Sequence, residues 1–520
     1  MEQWVITELQ RSSAYPEPTG AVQLLQTHIS LLFVTDTFVY KVKKPVDFGF
    51  LDFTTLDRRR FYCDEEVRLN RRLCPDTYLG VVEVRETAHG AAFYGEGRII
   101  DYAVKMKRLP AERMLDRLLR ENKVDAEDMR RIALTIAEFH QNAERGKEID
   151  HFGSIEAIRQ NWEENFHQAL EFVTISLAKQ DLMVIREWGN RFLADHADLF
   201  TDRVAGGFIR DCDGDIHPEN ICLTGQVCIF DCIEFNSRFR YGDTAADIAF
   251  LLMELDFNDR SLLADIFLNA YADATGDRGS RRVLDFYKVY RAFVRGKVES
   301  FKLSDPQIPA KEKEEARGKA VRYFRLARGY VLRQKLPPTL FITCGLMGSG
   351  KSTLARELAF ELGMTRVSSD EIRKEIANIP PDEHRGGDYG TGIYARSFNE
   401  ATYGTLLARS QKHLLEGRSI IVDATFRINS DRRKFRALAA RHAMPFIIIR
   451  ADCPERVIKQ RLEERIKKRE EISDGRWELF HRQQDEFEPP DGSEGKVIVA
   501  DCSLPILDAV DEVLKGMELL

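Results

Sequence analysis

Apolar positions along this chain follow two different repeats, and the places where one gives way to the other mark its elements. From 281 to 336 the apolar residues Leu284, Tyr287, Val289, Tyr290, Phe293 and Val294 recur at helical spacing, break at Pro306 and Pro309, and resume through Ala320, Tyr323, Phe324, Leu326 and Ala327. That spacing predicts two helices. It stops at Pro337-Pro338, and residues 339–344 then read as a short, fully buried strand, so a new α/β unit is expected to begin there. Continuous apolar runs at 420–423, 445–449 and 227–231 predict further buried strands, and 38–41 predicts one that ends in a lysine.

A chain of 520 residues is too long for one hydrophobic core. We read it as an N-terminal domain over 1–305, a helical linker over 306–337 and a C-terminal domain over 338–520. With 43% hydrophobic and 31% charged residues it has the composition of an ordinary globular protein, which excludes disordered, collagen-like and disulfide-scaffold classes. The 77 basic and 84 acidic side chains give a net charge of -7, which argues against a globally basic nucleic-acid binder. The start Met1-Glu2-Gln3-Trp4-Val5 lacks the basic and apolar run of a signal peptide, and no stretch is apolar enough for a membrane helix. Nine cysteines without a Cys-x-x-Cys pair then suggest reduced thiols in the cytoplasm. Cys212, Cys222, Cys228 and Cys232 read as small buried hydrophobes, because zinc ligand pairs sit closer together.

Candidate chemistry is densest at Gly345-Leu346-Met347-Gly348-Ser349-Gly350-Lys351-Ser352, followed by Thr353 and a helical run. A phosphate-binding loop needs a strand to aim it, glycines that let backbone N–H groups face an anion, a lysine for the outer phosphates and a hydroxyl for magnesium. All are present here in order. Asp423 ends a second buried strand, where a carboxylate would hold magnesium-bound water, making Asp423 with Ser352 the candidate metal residues. Between the strands, Asp370-x-x-Arg373 places a carboxylate and a guanidinium on one helix face. Asp370 could take a proton from an acceptor hydroxyl, and Arg373 could hold the transferring group. Arg461, Arg465 and Arg469 fall at four-residue steps, which makes either a solvated face or a lid over the nucleotide. The segment 381–391 is a candidate acceptor loop.

These four parts resemble the P-loop kinase family that includes polynucleotide kinases, zeta-type toxin kinases and gluconate-kinase-like enzymes. The resemblance implies a parallel sheet flanked by helices, with ATP and magnesium as cosubstrates and an acceptor that varies among members.

In the N-terminal part, Asp213-Gly214-Asp215 followed by Asn220 resembles the catalytic loop of aminoglycoside phosphotransferases and related protein-kinase-like enzymes, with Asp213 where the family has histidine. An aspartate such as Asp215 can position an acceptor hydroxyl, and Asn220 can reach a metal ion. Asp231 supplies a second metal carboxylate at the end of a buried strand, with Glu234 close by. Asp247 stands where the family has a structural aspartate. Asp47-Phe48-Gly49 precedes the loop by most of a domain and reads as loop structure. Upstream, Lys41 or Lys43 and Glu65 or Glu66 could form the nucleotide-positioning ion pair, and strand alternation puts both lysines on one face; Lys41 and Glu66 are preferred. No glycine-rich loop precedes them, and the hairpin at 35–37 takes its place.

The order of the parts resembles bacterial fusions of an aminoglycoside-phosphotransferase-like domain with a P-loop kinase domain. It implies an α/β and α+β protein, with a bilobal protein-kinase-like domain followed by a parallel-sheet kinase domain. The expected partners are ATP and a hydroxyl-bearing acceptor. Nucleic acid is disfavoured, although Arg432, Arg433, Lys434 and Arg436 form a local basic cluster that could track a backbone.

Overall fold

The computed structural model describes residues 1–49, 51–306, 308–379, 396–468 and 477–520, with all their side chains except those of 396, 465–468, 478 and 479. These residues form two compact units. The first comprises Met1–Gln168, Gly189–Asn258 and Leu263–Arg291; the second comprises Ala169–Trp188, Asp259–Leu262 and Ala292–Leu520.

After the helix Gln3–Leu9, the first unit carries the strands β1 (Gln23–Gln26), β2 (Ser30–Val34), β3 (Phe38–Lys43), β4 (Tyr78–Thr87), β5 (Gly90–Ala92) and β6 (Arg98–Lys107), with the helix Leu56–Asn70 between β3 and β4. They make one antiparallel sheet in the order β1-β2-β3-β6-β4-β5. Alternation along β3 sorts its residues by face. Tyr40 and Val42 join a core with Val5, Leu9 and Phe33, whereas Val39 packs on the other side with Cys63 and Val67 of the helix Leu56–Asn70. Lys41 and Lys43 follow Val39 onto that helix side. Two short antiparallel pairs follow: β7 (Ile209–Asp211) with β10 (Tyr241–Asp243), and β8 (Ile221–Leu223) with β9 (Val227–Ile229). The helix Thr244–Phe257, capped by Asp243 at the Ala245 N–H, is buried along nearly its whole length.

The second unit holds five parallel strands, β11 (Leu340–Cys344), β12 (Thr365–Ser368), β13 (Ile420–Asp423), β14 (Phe446–Asp452) and β15 (Lys496–Asp501), in the order β12-β13-β11-β14-β15. A parallel sheet must be covered on both faces. Here Phe341, Ile421, Ile447 and Ile449 face the helices Lys351–Glu361 and Ile506–Gly516. Leu340, Ile342, Ile420, Val422 and Ile448 face Arg396–Leu415 and Asn429–Arg441. This is the mixed α/β, parallel-sheet architecture expected of the C-terminal part. The helix Ala310–Arg333 belongs to this unit and docks on the Lys351–Glu361 helix. Gly329 lies so close to the Glu361 carbonyl that a side chain there would overlap it, and the buried Glu361 carboxylate pairs with Arg325 and Arg328.

Strand order places the first site. β11 lies between β13 and β14: the chain leaves it toward β12 on one side and later crosses from β13 to β14 on the other, which opens a crevice at the carboxyl end of β11, where open α/β sheets bind ligands.

Candidate functional sites

The phosphate loop leaves β11 at Cys344 and closes into the Lys351–Glu361 helix. Gly350 caps that helix in the left-handed region at φ 96°, and Gly348 has φ 75°. A side chain on Gly348 would also press on Ile458 and Leu462, so the loop requires glycine both for its backbone angles and for its packing. Leu346 and Met347 anchor it in an apolar cluster with Ile458, Leu462, Phe480 and Trp477, drawn from the helices Glu455–Lys468 and Trp477–Asp485. The Met347 N–H donates to Gln483 Oε1 at 2.6 Å. Thr353 is exposed on the first turn of the helix.

Ser352 and Asp423 come together as the sequence suggested. The Ser352 hydroxyl donates to Asp423 Oδ1 at 3.1 Å. Burial pushes the Asp423 carboxyl above the usual range, opposed by the positive charges of Arg366 and Lys351. Arg366 lies 3.3 Å from Asp423 Oδ2, and it also pairs with Glu371 at 2.6 Å and Asp259 at 3.4 Å. Sequence reasoning missed this arginine, although a charge within the fully buried strand β12 was a signal for it. A hydroxyl and a carboxylate are the hard oxygen donors that magnesium prefers, so the pair fits that ion. Among the described residues, Ser349 Oγ is buried without a hydrogen-bond partner, a polar group in the loop that a phosphate oxygen would satisfy.

Asp370 and Arg373 pair at 2.8 Å on the helix Ser369–Ile376, and Arg373 also donates to Asn399 Oδ1 at 2.9 Å. Arg461 does not stand on a solvated face. Its guanidinium donates to the Cys502 carbonyl at 2.7 Å and the Ser349 carbonyl at 3.4 Å, tying its helix to the phosphate loop. The Arg465 side chain, Arg469 and the segment 381–391 lie outside the described residues. The basic cluster is largely spent. Arg432 is buried and bidentate to Glu494 at 2.7 and 2.8 Å, Arg436 donates to the Ser493 carbonyl at 2.6 Å, and Lys434 pairs with Asp431 at 2.9 Å.

In the first unit, the loop after β7 is held by a buried acid of the helix Thr244–Phe257. Asp247 accepts the backbone N–H of Asp213 at 3.0 Å and of Gly214 at 2.8 Å. Burial opposes ionisation of Asp247, but the His140 hydrogen bond, reinforced by charge and by these amides, holds its carboxyl below the usual range. His140 spans Asp247 Oδ2 at 3.1 Å and the Tyr271 hydroxyl at 2.8 Å. Beyond the anchor, Asn220 Nδ2 donates to Asp215 Oδ2 at 3.1 Å, and His217 Nε2 lies 3.4 Å from the same oxygen. Asp213 is buried beside Asp247, and these two causes in that order push its carboxyl up to about 8.

Of the residues the sequence offered for an ion pair, the structure brings Glu66, and not Glu65, to the two lysines. Glu65 turns to Arg68, whereas Glu66 is buried and serves both lysines: Oε1 lies 2.9 Å from Lys41 Nζ and Oε2 lies 2.6 Å from Lys43 Nζ. Burial alone would raise the Glu66 pKa, but the two ammonium groups overcome it and bring the carboxyl down to about 2. Lys41 also pairs with Asp231, and Lys43 with Glu234. Asp231 sits in the left-handed region at φ 66°, and its N–H donates to the Tyr78 hydroxyl at 3.1 Å. Asp47 and Gly49 lie in a loop, as expected.

One cysteine expectation is overturned. Cys74 and Cys228 form a disulfide across 154 residues, so the thiols are not all reduced, while Cys212, Cys222 and Cys232 are buried as anticipated. The sequence concealed this because only the fold brings the end of the Leu56–Asn70 helix to β9.

A family described as an AAA domain matches residues 340–490, the span from β11 through the loop, Asp423 and the Trp477–Asp485 helix. Over 420 residues the chain is 32% identical to the uncharacterized protein Rv2004c of Mycobacterium tuberculosis, with 81% of each chain covered. The chain belongs to its family. The uncharacterized protein Mb2027c of Mycobacterium bovis matches to the same extent. Among solved structures, a gluconokinase from Sinorhizobium meliloti is 21% identical with a TM-score of 0.26, over 35% of this chain and 92% of its own. A choline/ethanolamine kinase family protein from Mesorhizobium loti is 12% identical with a TM-score of 0.36, over 60% of this chain and 92% of its own. Likenesses of that size carry no argument. The family model and the geometry together make the C-terminal part a P-loop kinase-like domain, and no helix among the described residues is long and apolar enough to cross a membrane.

Proposed function

We propose that the protein is an ATP-dependent phosphotransferase in which the C-terminal module, 338–520, transfers the γ-phosphoryl group to a hydroxyl acceptor, and the N-terminal module, 1–305, is a second, protein-kinase-like nucleotide site. One observation carries the reading: Ser352 Oγ lies 3.1 Å from Asp423 Oδ1 at the end of a phosphate loop whose helix opens on Lys351.

The acceptor oxygen bonds to the γ-phosphorus as the bond to the β–γ bridging oxygen breaks, and ADP leaves with that electron pair. Asp370, paired with Arg373, accepts the hydroxyl proton. Lys351 balances phosphate charge, Ser352 and Asp423 hold magnesium, and Arg461 keeps the loop in place. Magnesium, when bound, neutralises charge on the phosphate oxygens. In the N-terminal module, Asp215 orients an acceptor hydroxyl, Asn220 and Asp231 hold the cation, and Lys41 with Glu66 positions the nucleotide.

The test follows labelled γ-phosphate from ATP into pooled nucleosides, sugars, aminoglycosides and 5′-hydroxyl oligonucleotides, using the whole chain, Lys351→Ala and Asp215→Ala. Lys351→Ala should abolish transfer by the C-terminal module and leave transfer by the N-terminal one. Transfer unaffected by either substitution, or no ATP binding at all, would overturn the reading. Label in oligonucleotides alone would restore the end-repair alternative that the spent basic cluster disfavours.

A further inference from the structure

Two lysines and three carboxylates meet beneath β3. They divide by exposure into two pairs with different surroundings. The Lys41 side chain keeps 10% of its surface and Asp231 keeps 46%, so this pair lies at the edge of the cluster and within reach of solvent. The Lys43 side chain keeps none and Glu234 keeps 4%, so this pair is sealed inside. Glu66 bridges them, with one oxygen on each lysine. Lys43 also lies 4.9 Å from the centre of the Phe53 ring, a further apolar wall around the inner pair.

Connectivity gives the division its consequence. Lys41 and Lys43 are two residues apart on β3, and Asp231 and Glu234 are three apart on the segment after β9. The strand and the segment are therefore joined twice, and the Leu56–Asn70 helix is tied to both joints through Glu66. Phosphates arriving at Lys41 and a cation arriving at Asp231 compete with the contact these two side chains make with each other. When the outer pair separates, the inner pair is the joint that still ties strand, helix and segment, and its buried charges keep each other compensated.

We propose that Lys43 and Glu234 are positioning residues of the N-terminal nucleotide site: a fixed inner ion pair that holds Glu66 and the 231–234 segment while Lys41 and Asp231 exchange each other for phosphate and a divalent cation. The inference rests on the reading of Asp231 and Lys41 as nucleotide-site residues. Without Lys43, Glu66 claims Lys41 for itself, Glu234 loses its counter-ion, and Asp231 shifts with the segment that carries it. The outer pair then cannot open productively.

The test uses the whole chain carrying Lys351→Ala, which silences the C-terminal phosphate loop, and measures Mn2+ bound with a non-hydrolysable ATP analogue by electron paramagnetic resonance, alongside the melting temperature. Into this background go Lys43→Met, the double change Lys43→Met with Glu234→Met, and Glu234→Gln. The double change removes both charges and replaces them with apolar groups of similar length, so its melting temperature should stay near that of the background even if Lys43→Met alone unfolds the unit. Its affinity for the manganese–nucleotide complex should fall at least tenfold, and Glu234→Gln, which keeps a hydrogen bond to Lys43, should lose less. A folded double variant, or a folded Glu234→Gln if the double variant does not fold, that binds as tightly as the background with an unchanged Mn2+ spectrum overturns the positioning role. Absence of manganese–nucleotide binding in the Lys351→Ala background itself overturns the N-terminal nucleotide reading, and this inference with it.

Discussion

Ser352 and Asp423, 71 residues apart in sequence, share a 3.1 Å hydrogen bond because β11 and β13 run parallel and in register, Ile342 beside Val422. The register brings the tip of one strand, and the loop and helix that follow it, to the tip of the other. Neither side chain needs a flexible loop to reach its partner, so the pair is preorganised by buried backbone.

Asp423→Asn keeps the shape and removes the charge. It should raise the magnesium concentration needed for half-maximal nucleotide turnover by the C-terminal module at least about 10-fold. Magnesium titrations of the turnover rate check this, and an unchanged requirement would remove Asp423 from the metal role. Ser352→Ala should shift the requirement in the same direction.

Asp213 makes a prediction about stability. Its carboxyl is pushed by burial, and then by the charge of Asp247, from an ordinary 3.8 to about 8. Between those values the folded chain holds a proton that the unfolded chain has released, so this group's contribution to stability falls as pH rises through the window and is fully present only below it. Asp213→Asn retains an oxygen for the Asp215 N–H, which donates to Asp213 Oδ1 at 3.1 Å, and removes the titration. Urea melts of the first unit at pH 6 and pH 9 should show a steeper loss for the parent chain than for Asp213→Asn; equal losses would show that Asp213 ionises normally in the folded state.

What the sequence revealed and what it hid follow one physical line. The phosphate loop was legible because it is contiguous and its glycines answer local backbone demands, as the φ of Gly348 and Gly350 shows. Alternation along β3 placed Lys41 and Lys43 on one face but could not name their carboxylate partners, because Glu66 and Glu234 reach Lys43 from elements 23 and 191 residues away. Arg432 read as a surface charge because its partner, Glu494, arrives from 62 residues downstream and buries it. Arg461 fell on the helical spacing of its segment, yet the carbonyls that hold it, Ser349 and Cys502, belong to the phosphate loop and to the end of β15. Gln483 carried no signal at all, since an amide on a short helix announces nothing about the Met347 N–H it accepts.

The disulfide joins two places that matter to the N-terminal site. Cys74 follows the helix that carries Glu66, and Cys228 lies three residues before Asp231. Asn70 already links the same two segments by accepting the Cys232 N–H at 2.9 Å, so the covalent bond reinforces a contact that exists without it. Its main effect is therefore on the unfolded chain, where closing a loop of this length removes conformational freedom. Cys74→Ser should lower stability by about 2–4 kcal/mol under oxidising conditions and by far less in the presence of a dithiol reductant, because reduction abolishes the same constraint in the parent chain. Denaturant unfolding with and without reductant measures the difference, and alkylation of the unfolded parent chain should modify two fewer cysteines without reductant than with it. Full alkylation without reductant would mean that the two thiols are unlinked in the purified protein, and the stability difference should then vanish as well.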